Sequence, residues 1–132
     1  MPTPLLMLAA TFALCAEGPR TTCVVDGDTF WLQGEKVRIA DINAPETHTA
    51  GCPAEQQLGD RATRRLISLL NAGPFSVDTE GRATDRSGRL LRVVRRGGRW
   101  LGGQLVAEGL AEPWRGRRSD WCVLLAGGPL DR

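Results

Sequence analysis

The chain has 132 residues, of which 42% are hydrophobic and 24% are charged. This length fits one domain with a single core, and the composition is that of a globular protein rather than a disordered one. The formal net charge of +2 is too small to indicate a nucleic-acid partner by itself. Of the 17 basic residues only Lys36 is a lysine. Arginine suits bidentate recognition of phosphate, although codon bias in a GC-rich genome explains the same excess equally well.

The N-terminal segment is apolar. The first 16 residues carry no charged side chain, and residues 5–16 are apolar apart from Thr11. Such a run has the length of a signal-peptide core and is too short to span a membrane. The sequence therefore predicts a leader over residues 1–16 and a secreted or periplasmic protein with no stable membrane association after processing. The alternatives are an uncleaved anchor, a cytoplasmic protein or a misassigned start codon.

The cysteine pattern does not indicate a zinc site. The four cysteines are Cys15, Cys23, Cys52 and Cys122, no pair of them has the C-x₂₋₄-C spacing, and His48 is the only histidine. Removal of the leader would leave three cysteines, hence at most one intramolecular disulfide and one free thiol. In an exported protein we expect a bridge that ties the tail to the body. The sequence leaves its pairing open.

Three short strands are predicted after the leader. Asp26-Gly27 is a strong hairpin signal between the first two strands, and Gly34-Glu35 marks the next turn. The predicted strands are 21–25, 29–33 and 36–42. In the last of them Arg38 alternates with apolar neighbours, so it is expected to project to the face opposite the core side chains.

A helix, two more strands and a second helix are predicted next. Pro53 suits the first position of a long helix, and Gly73-Pro74 is a typical helix stop. The later elements are strands at 75–79 and 90–95, a short helix at 101–110 and a basic tail at 115–132 that a disulfide would tether. Five strands with a long helix between the third and fourth have the order of an OB-type barrel. The predicted fold is therefore α+β and mainly β, a five-stranded OB-fold barrel with one long and one short helix, over residues 20–114.

Oxygen-bearing side chains are concentrated around the third predicted strand. Asp28, Asn43 and Glu46 fall close to Arg38 in the predicted topology. Hard cations such as calcium are bound by carboxylate and carbonyl oxygens. An arginine beside such oxygens can grip a phosphate through its planar fork of donors. The residues alone therefore suggest a metal-assisted phosphodiester site. Taken singly, however, each residue more often has an ordinary role, in a turn, in a loop or on a solvated surface.

Four segments together resemble the staphylococcal nuclease (thermonuclease) family, in order and in separation. The resemblance covers residues 23–114 and implies a calcium-dependent endonuclease on an OB-fold. The segments are VVDGDT from Val24, VRIADINAPET from Val37, the D-x-x-G-R turn from Asp85 to Arg89, and LVAEGLA from Leu105 before Trp114.

The resemblance also implies roles for individual residues. Asp28 takes the position of a calcium-ligating aspartate, Asn43 that of the second ligating aspartate, and Ala44 that of a ligating backbone carbonyl. One Ca²⁺ ion is therefore expected. The catalytic residues that it implies are Arg38 and Arg89, which bind the scissile phosphate, and Glu46, the proposed general base.

Two residues depart from the family pattern. Asn43 is neutral where the family has a carboxylate, so calcium binding is expected to be weaker, with Asp26 or Asp41 as the acids that would compensate. Ser87 stands where the family often has a tyrosine next to the phosphate, and this loss is expected to matter less.

The function predicted from the sequence is hydrolysis of DNA, and of RNA, by a monomeric enzyme that prefers single-stranded or flexible substrates. The alternative is an OB-fold module that binds single-stranded nucleic acid with little or no cleavage, because it has lost metal binding through Asn43. A third reading is a disulfide-tethered envelope module that uses the barrel for protein contacts. The presence of Asp28 and Glu46 favours the enzyme, since a pure binding module needs the arginines but not the acids.

Overall fold

The computed structural model of the protein describes residues 11–126, which form a mixed α+β fold. The strands are β1 (Cys23–Asp26), β2 (Thr29–Leu32), β3 (Glu35–Ile39), β4 (Ile42–Asn43), β5 (Ser76–Asp78), β6 (Leu90–Arg96), β7 (Arg99–Trp100) and β8 (Glu112–Pro113). The helices are α1 (Pro53–Asn71), α2 (Leu101–Ala107) and α3 (Trp121–Leu125). No helix within residues 11–126 is both long enough and apolar enough to cross a membrane.

The main sheet has the strand order β1-β2-β3-β6-β5, with β7 paired to β6. The pairs β1–β2, β2–β3 and β5–β6 are antiparallel, whereas β3 and β6 run parallel. A parallel pair needs a long crossover, and α1 together with β5 supplies it. Over residues 11–126 no pairing of β5 with β1 closes the sheet into a ring. The predicted α+β architecture is confirmed, and its arrangement is consistent with an OB-like fold.

The predicted long helix, the short helix and the later strands lie where the sequence placed them, and the tail carries a further short helix, α3, that was not predicted. α2 ends at Ala107, where Glu108 caps it. α3 was missed because five residues are too few to show a helical period. Its one local signal is Asp120, whose carboxylate accepts hydrogen bonds from the backbone of Cys122 and Val123 as an N-cap.

The two hairpin turns use glycine for different reasons. Between β2 and β3, Gln33 and Gly34 have φ values of 52° and 84°, as a tight two-residue hairpin with both central residues left-handed requires. In the Asp26-Gly27 turn, a Cβ on Gly27 would lie 2.7 Å from the Cβ of Ala62 and 2.8 Å from that of Ala44. Gly27 is therefore needed for close packing against α1 and the loop after β4.

One hydrophobic core lies between the main sheet and the helices. α1 packs against β1 and also contacts α2 and α3. Leu66 and Leu70 on its inner face are fully buried, as the periodicity predicted. The largest buried side chains include Phe30, Phe75, Ile39, Leu66, Leu70 and Leu105.

Residues 11–16, the end of the predicted leader, contribute to this core. Phe12 is 2% exposed and its ring packs edge-on against Phe30, with centroids 5.9 Å apart. Its backbone N–H and C=O bond the side-chain amide of Asn71 at the end of α1. The leader stays a prediction, and its residues 1–10 lie outside the described residues. Cleavage after Ala16 would remove a core aromatic side chain.

Two disulfides pair all four cysteines. Cys15 is bonded to Cys23 at the start of β1, and Cys52 at the start of α1 is bonded to Cys122 in α3. The predicted bridge between the tail and the body is thus present. The free thiol expected after leader removal does not occur in the described chain, because Cys15 belongs to the folded part.

We expect Phe12→Ala to lower the free energy of unfolding by about 3–5 kcal/mol, since it deletes a buried aromatic ring from a packed core. Chemical denaturation followed by circular dichroism measures this. Leu14→Ala is the matched control in the same segment, because Leu14 is 60% exposed; its effect should stay within about 0.5 kcal/mol. Equal, small effects of both substitutions would mean that the segment is not part of the core.

Candidate active site

A cleft opens between the end of β3, the turn before β6 and the segment after β8. Its volume is about 380 Å³. Two carboxylates, Glu80 and Asp85, and the exposed indole of Trp114 also line it. Its cationic lining residues are Arg38, Arg82, Arg89 and Arg118. The excess of guanidinium groups makes this cleft suited to an anionic ligand such as a phosphate.

Arg38 is built into the floor of the cleft. It is only 5% exposed, although it points away from the core as predicted. Its Nη1 donates to the backbone carbonyls of Ile39 and Ile42 at 2.7 and 2.9 Å, and the guanidinium carbon lies 5.5 Å from the ring centroid of Trp114. No residue within 11–126 accepts a hydrogen bond from Nη2 or Nε, which leaves these donors for a ligand.

Arg89 reaches the same cleft from the start of β6. Arg38 and Leu91 are partners in the parallel β3–β6 pair, which brings Arg89 beside the end of β3. Asp85 fixes its orientation, since its Oδ2 lies 2.6 Å from Arg89 Nε and its Oδ1 accepts from the Arg89 backbone. The same hydrogen bonds lower the pKa of Asp85 against the opposing effect of burial. Asp85 thus fixes the Arg89 side chain where it lines the cleft.

Asp28 joins β2 to β3 and to the loop after β4. It is 2% exposed. Its Oδ1 accepts from the Thr29 hydroxyl at 2.9 Å, and its Oδ2 accepts from the Ala44 backbone at 2.8 Å and lies 3.4 Å from Arg38 Nη1. A carboxylate offers about four lone-pair sites, so capacity for a further partner remains on Oδ1.

Ala44, just after β4, contacts Asp28 through its backbone N–H, and Asn43 precedes it in β4. The Asn43 Nδ2 donates to Glu112 Oε2 at 2.8 Å across the β4–β8 pair. Its Oδ1 is buried and has no hydrogen-bond partner among residues 11–126. Buried polar atoms without a partner are uncommon, so this oxygen is free to ligate.

Glu46 follows on the same loop and is already paired. Its Oε2 lies 2.5 Å from Arg118 Nη1, and its Oε1 accepts from the Thr49 hydroxyl at 3.1 Å. The loop itself is held from α1, since Glu55 Oε2 accepts from the Glu46 backbone. α1 also approaches so closely that a Cβ on Gly59 would lie 2.5 Å from the Glu46 carbonyl oxygen.

The carboxyl group of Asp26, next to Asp28, favours its neutral form near pH 7. The pKa of Asp26 is raised to about 8, first by burial and then by the adjacent Asp28 carboxylate, with Glu46 adding to the effect. Asp41 belongs to another environment, because its carboxylate lies against Gly102 at the start of α2. Asp26 is therefore the nearby acid that interacts with Asp28.

These groups fit a hard cation, but they would bind it with low affinity. The partnerless Asn43 oxygen and the remaining capacity of the Asp28 carboxylate are what such an ion would satisfy. Within residues 11–126, however, no group of three or more His, Cys, Asp or Glu side chains is placed to hold a metal. Neutral oxygens would have to complete the ligand set, and this reduces affinity.

Of the residues predicted from sequence, Arg38 and Arg89 line one cleft, while Asp28, Asn43, Ala44 and Glu46 form its neighbouring loop and strand ends. Arg118 was missed as a cleft residue. In the sequence it was only one member of a basic cluster, and its placement depends on the distant Cys52–Cys122 bond.

A family model described as Staphylococcal nuclease homologue matches residues 36–120 of the chain. No curated protein matches the chain. The matched residues cover more than half of the chain and include Arg38, Glu46 and Arg89, whereas Asp28 precedes them. The chain thus belongs to the staphylococcal nuclease homologue family and has its nuclease-like, nucleic-acid-binding fold.

Proposed function

We propose that the protein is a calcium-dependent endonuclease that hydrolyses phosphodiester bonds of DNA and of RNA. The observation that supports this most is the meeting of Arg38 and Arg89 in one cleft beside the acids of the Asp28 and Glu46 loops. A protein that only binds nucleic acid needs the guanidinium groups but has no use for buried carboxylates next to them.

The two arginines are suited to a phosphate whose negative charge increases as a fifth oxygen approaches phosphorus. Main-chain carbonyls hold Arg38 and Asp85 holds Arg89, so neither side chain has to be ordered when substrate binds. Donors that are already oriented stabilise a developing charge without reorganisation. In this proposal both guanidinium groups bind the non-bridging oxygens of the scissile phosphate.

Glu46 is the residue proposed to act on the attacking water. Its carboxylate accepts the water's hydrogen bond, and orients it or takes its proton as the bond to phosphorus forms. In the free protein Arg118 occupies one of its oxygens. The pair has to open, or to turn towards the substrate, before that oxygen can receive the water.

Asp28, the Asn43 side-chain oxygen and the Ala44 carbonyl would hold the calcium ion. A bound calcium ion would supply Lewis-acid polarisation of the phosphate and a coordinated water of lowered pKa. Because Asn43 is neutral, we expect activity to require millimolar rather than micromolar calcium.

We further propose that the protein acts outside the cytoplasm as a monomer on single-stranded or flexible substrates. The disulfides Cys15–Cys23 and Cys52–Cys122 support export, because disulfides persist in oxidising compartments. Since Phe12 and Cys15 belong to the fold, removal of a leader is expected upstream of Phe12. The exposed indole of Trp114 at the cleft offers a stacking surface that a base in a flexible strand could reach.

Purified protein incubated with single-stranded DNA should cleave it in millimolar calcium and leave it intact in chelator. We expect Glu46→Gln and Arg89→Ala each to reduce the cleavage rate about a hundredfold or more, the usual loss for a general base or an oriented charge donor. Glu35→Gln and Arg61→Ala are the matched controls, because both residues are exposed and lie outside the cleft.

Two results would contradict this account. Tight binding of DNA without any cleavage in millimolar calcium would assign the protein to the alternative, a binding module. Catalysis would then be absent because Asn43 is neutral and Glu46 is paired with Arg118. Cleavage that is unchanged in both variants would mean that the catalytic residues are wrongly assigned.

Restoring a carboxylate at position 43 should tighten calcium binding. Asn43→Asp alone would place its carboxylate against that of Glu112, which now accepts the Asn43 hydrogen bond. The double variant Asn43→Asp/Glu112→Gln removes this repulsion, and we expect it to bind calcium on the order of tenfold more tightly than wild type. Isothermal titration calorimetry with calcium measures the affinity.

Glu112→Gln is the control for that double variant, and its calcium affinity should equal that of wild type. If the double variant binds calcium no better than this control, residue 43 is not a calcium ligand.

A further inference from the structure

The segment that follows β8, residues 114–126, is here named the C-terminal arm. Trp114 and Arg118 of this arm line the cleft, and its far end reaches the start of α1. The Cys52–Cys122 disulfide joins it there, and Trp121 is buried beside this bond. Both features fix the far end of the arm to the body of the domain.

The near end of the arm is fixed as well. Ser119 donates from its backbone to Glu112 Oε2 at 3.1 Å and from its hydroxyl to Glu112 Oε1 at 2.5 Å. Arg118 therefore follows the exposed residues 115–117 and immediately precedes an anchored residue.

Arg118 differs from the other arginines of the cleft in its partner. Arg38 is held by main-chain carbonyls and Arg89 by Asp85, whereas Arg118 pairs with Glu46, the carboxylate proposed to act on water. The Arg118 side chain is 48% exposed and that of Glu46 is 22% exposed. A solvent-exposed ion pair of this kind is weak and exchanges readily, and a phosphate is a competing partner that arginine binds bidentately.

We propose that Arg118 is a third substrate-binding arginine, which pairs with Glu46 in the free protein and moves to a backbone phosphate of the bound strand. This transfer would release the Glu46 carboxylate only when a strand occupies the cleft. The inference rests on the proposed function of the same cleft. It adds a residue of the arm to the substrate site, and it gives the Cys52–Cys122 bond a role in holding that residue in place.

Binding of a short single-stranded DNA oligonucleotide in chelator tests this without cleavage. Affinity is measured by fluorescence anisotropy over a series of salt concentrations for wild type, Arg118→Ala, Arg118→Lys and Arg117→Ala. Arg117 is the matched control, since it lies on the same arm and is exposed but does not line the cleft. Loss of one phosphate contact lowers the slope of log affinity against log salt by about 0.7 for a single strand.

We expect the slope to fall by about 0.7 in Arg118→Ala. Arg118→Lys should keep most of the wild-type slope, and Arg117→Ala should lose less than half as much slope as Arg118→Ala. In calcium, Arg118→Ala should raise KM about tenfold, the cost of one charge-assisted hydrogen bond, and change kcat much less. Equal slopes for Arg118→Ala and wild type, or equal losses for Arg118→Ala and Arg117→Ala, would overturn the inference.

The disulfide supplies a second test. Cys52→Ser/Cys122→Ser should lose part of the slope that Arg118→Ala loses, because the Ser119–Glu112 hydrogen bonds still hold the residue next to Arg118. Arg118→Ala should remove the remainder in that background, and an unchanged slope in the double serine variant would mean that the disulfide does not position Arg118. Cys15→Ser/Cys23→Ser is the control, because it opens the disulfide that lies away from the arm; it should keep the wild-type slope. Circular dichroism establishes that each variant is folded.

The two proposals fail separately. If the wild-type protein cleaves DNA and Arg118→Ala behaves like wild type, the inference about Arg118 is wrong and the nuclease proposal stands. Wild type that binds with the expected Arg118 slope but never cleaves overturns the nuclease proposal alone. Wild type that does not bind the oligonucleotide overturns both.

Discussion

The buried carboxylate of Asp28 is the constraint on which the site depends. It lies just before β2, and it contacts Thr29, the Ala44 backbone and the guanidinium of Arg38 on three different segments. A buried charge is tolerated only when it is paired and hydrogen-bonded. The position of the loop after β4 and the orientation of Arg38 are therefore both set by the need to compensate one carboxylate.

This arrangement couples the site to the core. Arg38 is sandwiched between Asp28, main-chain carbonyls and the indole of Trp114, so its guanidinium is held rigid even though its outer nitrogens face the cleft. Removing one partner of such a buried pair typically costs about 3–5 kcal/mol, because the other charge is left uncompensated. A loss of activity in Arg38 or Asp28 variants would for that reason reflect both lower stability and a changed site. Glu46 and Arg89 are more exposed, so their substitution should affect activity with less effect on stability.

The sequence predicted the meeting of Arg38 and Arg89 because local patterns determine it. Alternation places Arg38 on the outer face of β3, and the strand order of an OB-type fold brings β6 beside β3, so the turn that carries Arg89 arrives next to it. The contact between Asp28 and the loop after β4 was predictable for the same reason, since the β1–β2 turn and this loop lie at adjacent strand ends.

Features that depend on distant or ambiguous contacts could not be predicted. The composition of the apolar run that contains Phe12 fits a leader and a core segment equally well. Only the packing of Phe12 against Phe30 shows that this part of the run belongs to the core. Arg118 could not be assigned to Glu46, because the Cys52–Cys122 bond that directs the arm was one of several pairings that the sequence left open.

The central claim is that one cleft, around Arg38, Arg89 and Trp114, binds the nucleic-acid strand. Titration of isotopically labelled protein with a single-stranded oligonucleotide in chelator, followed by nuclear magnetic resonance, tests it residue by residue. We predict that the largest chemical-shift changes occur at the Arg38 and Arg89 guanidinium groups and the Trp114 indole. Largest changes instead at Arg61 and Arg64, on the exposed face of α1, would contradict the claim and place the strand elsewhere on the protein.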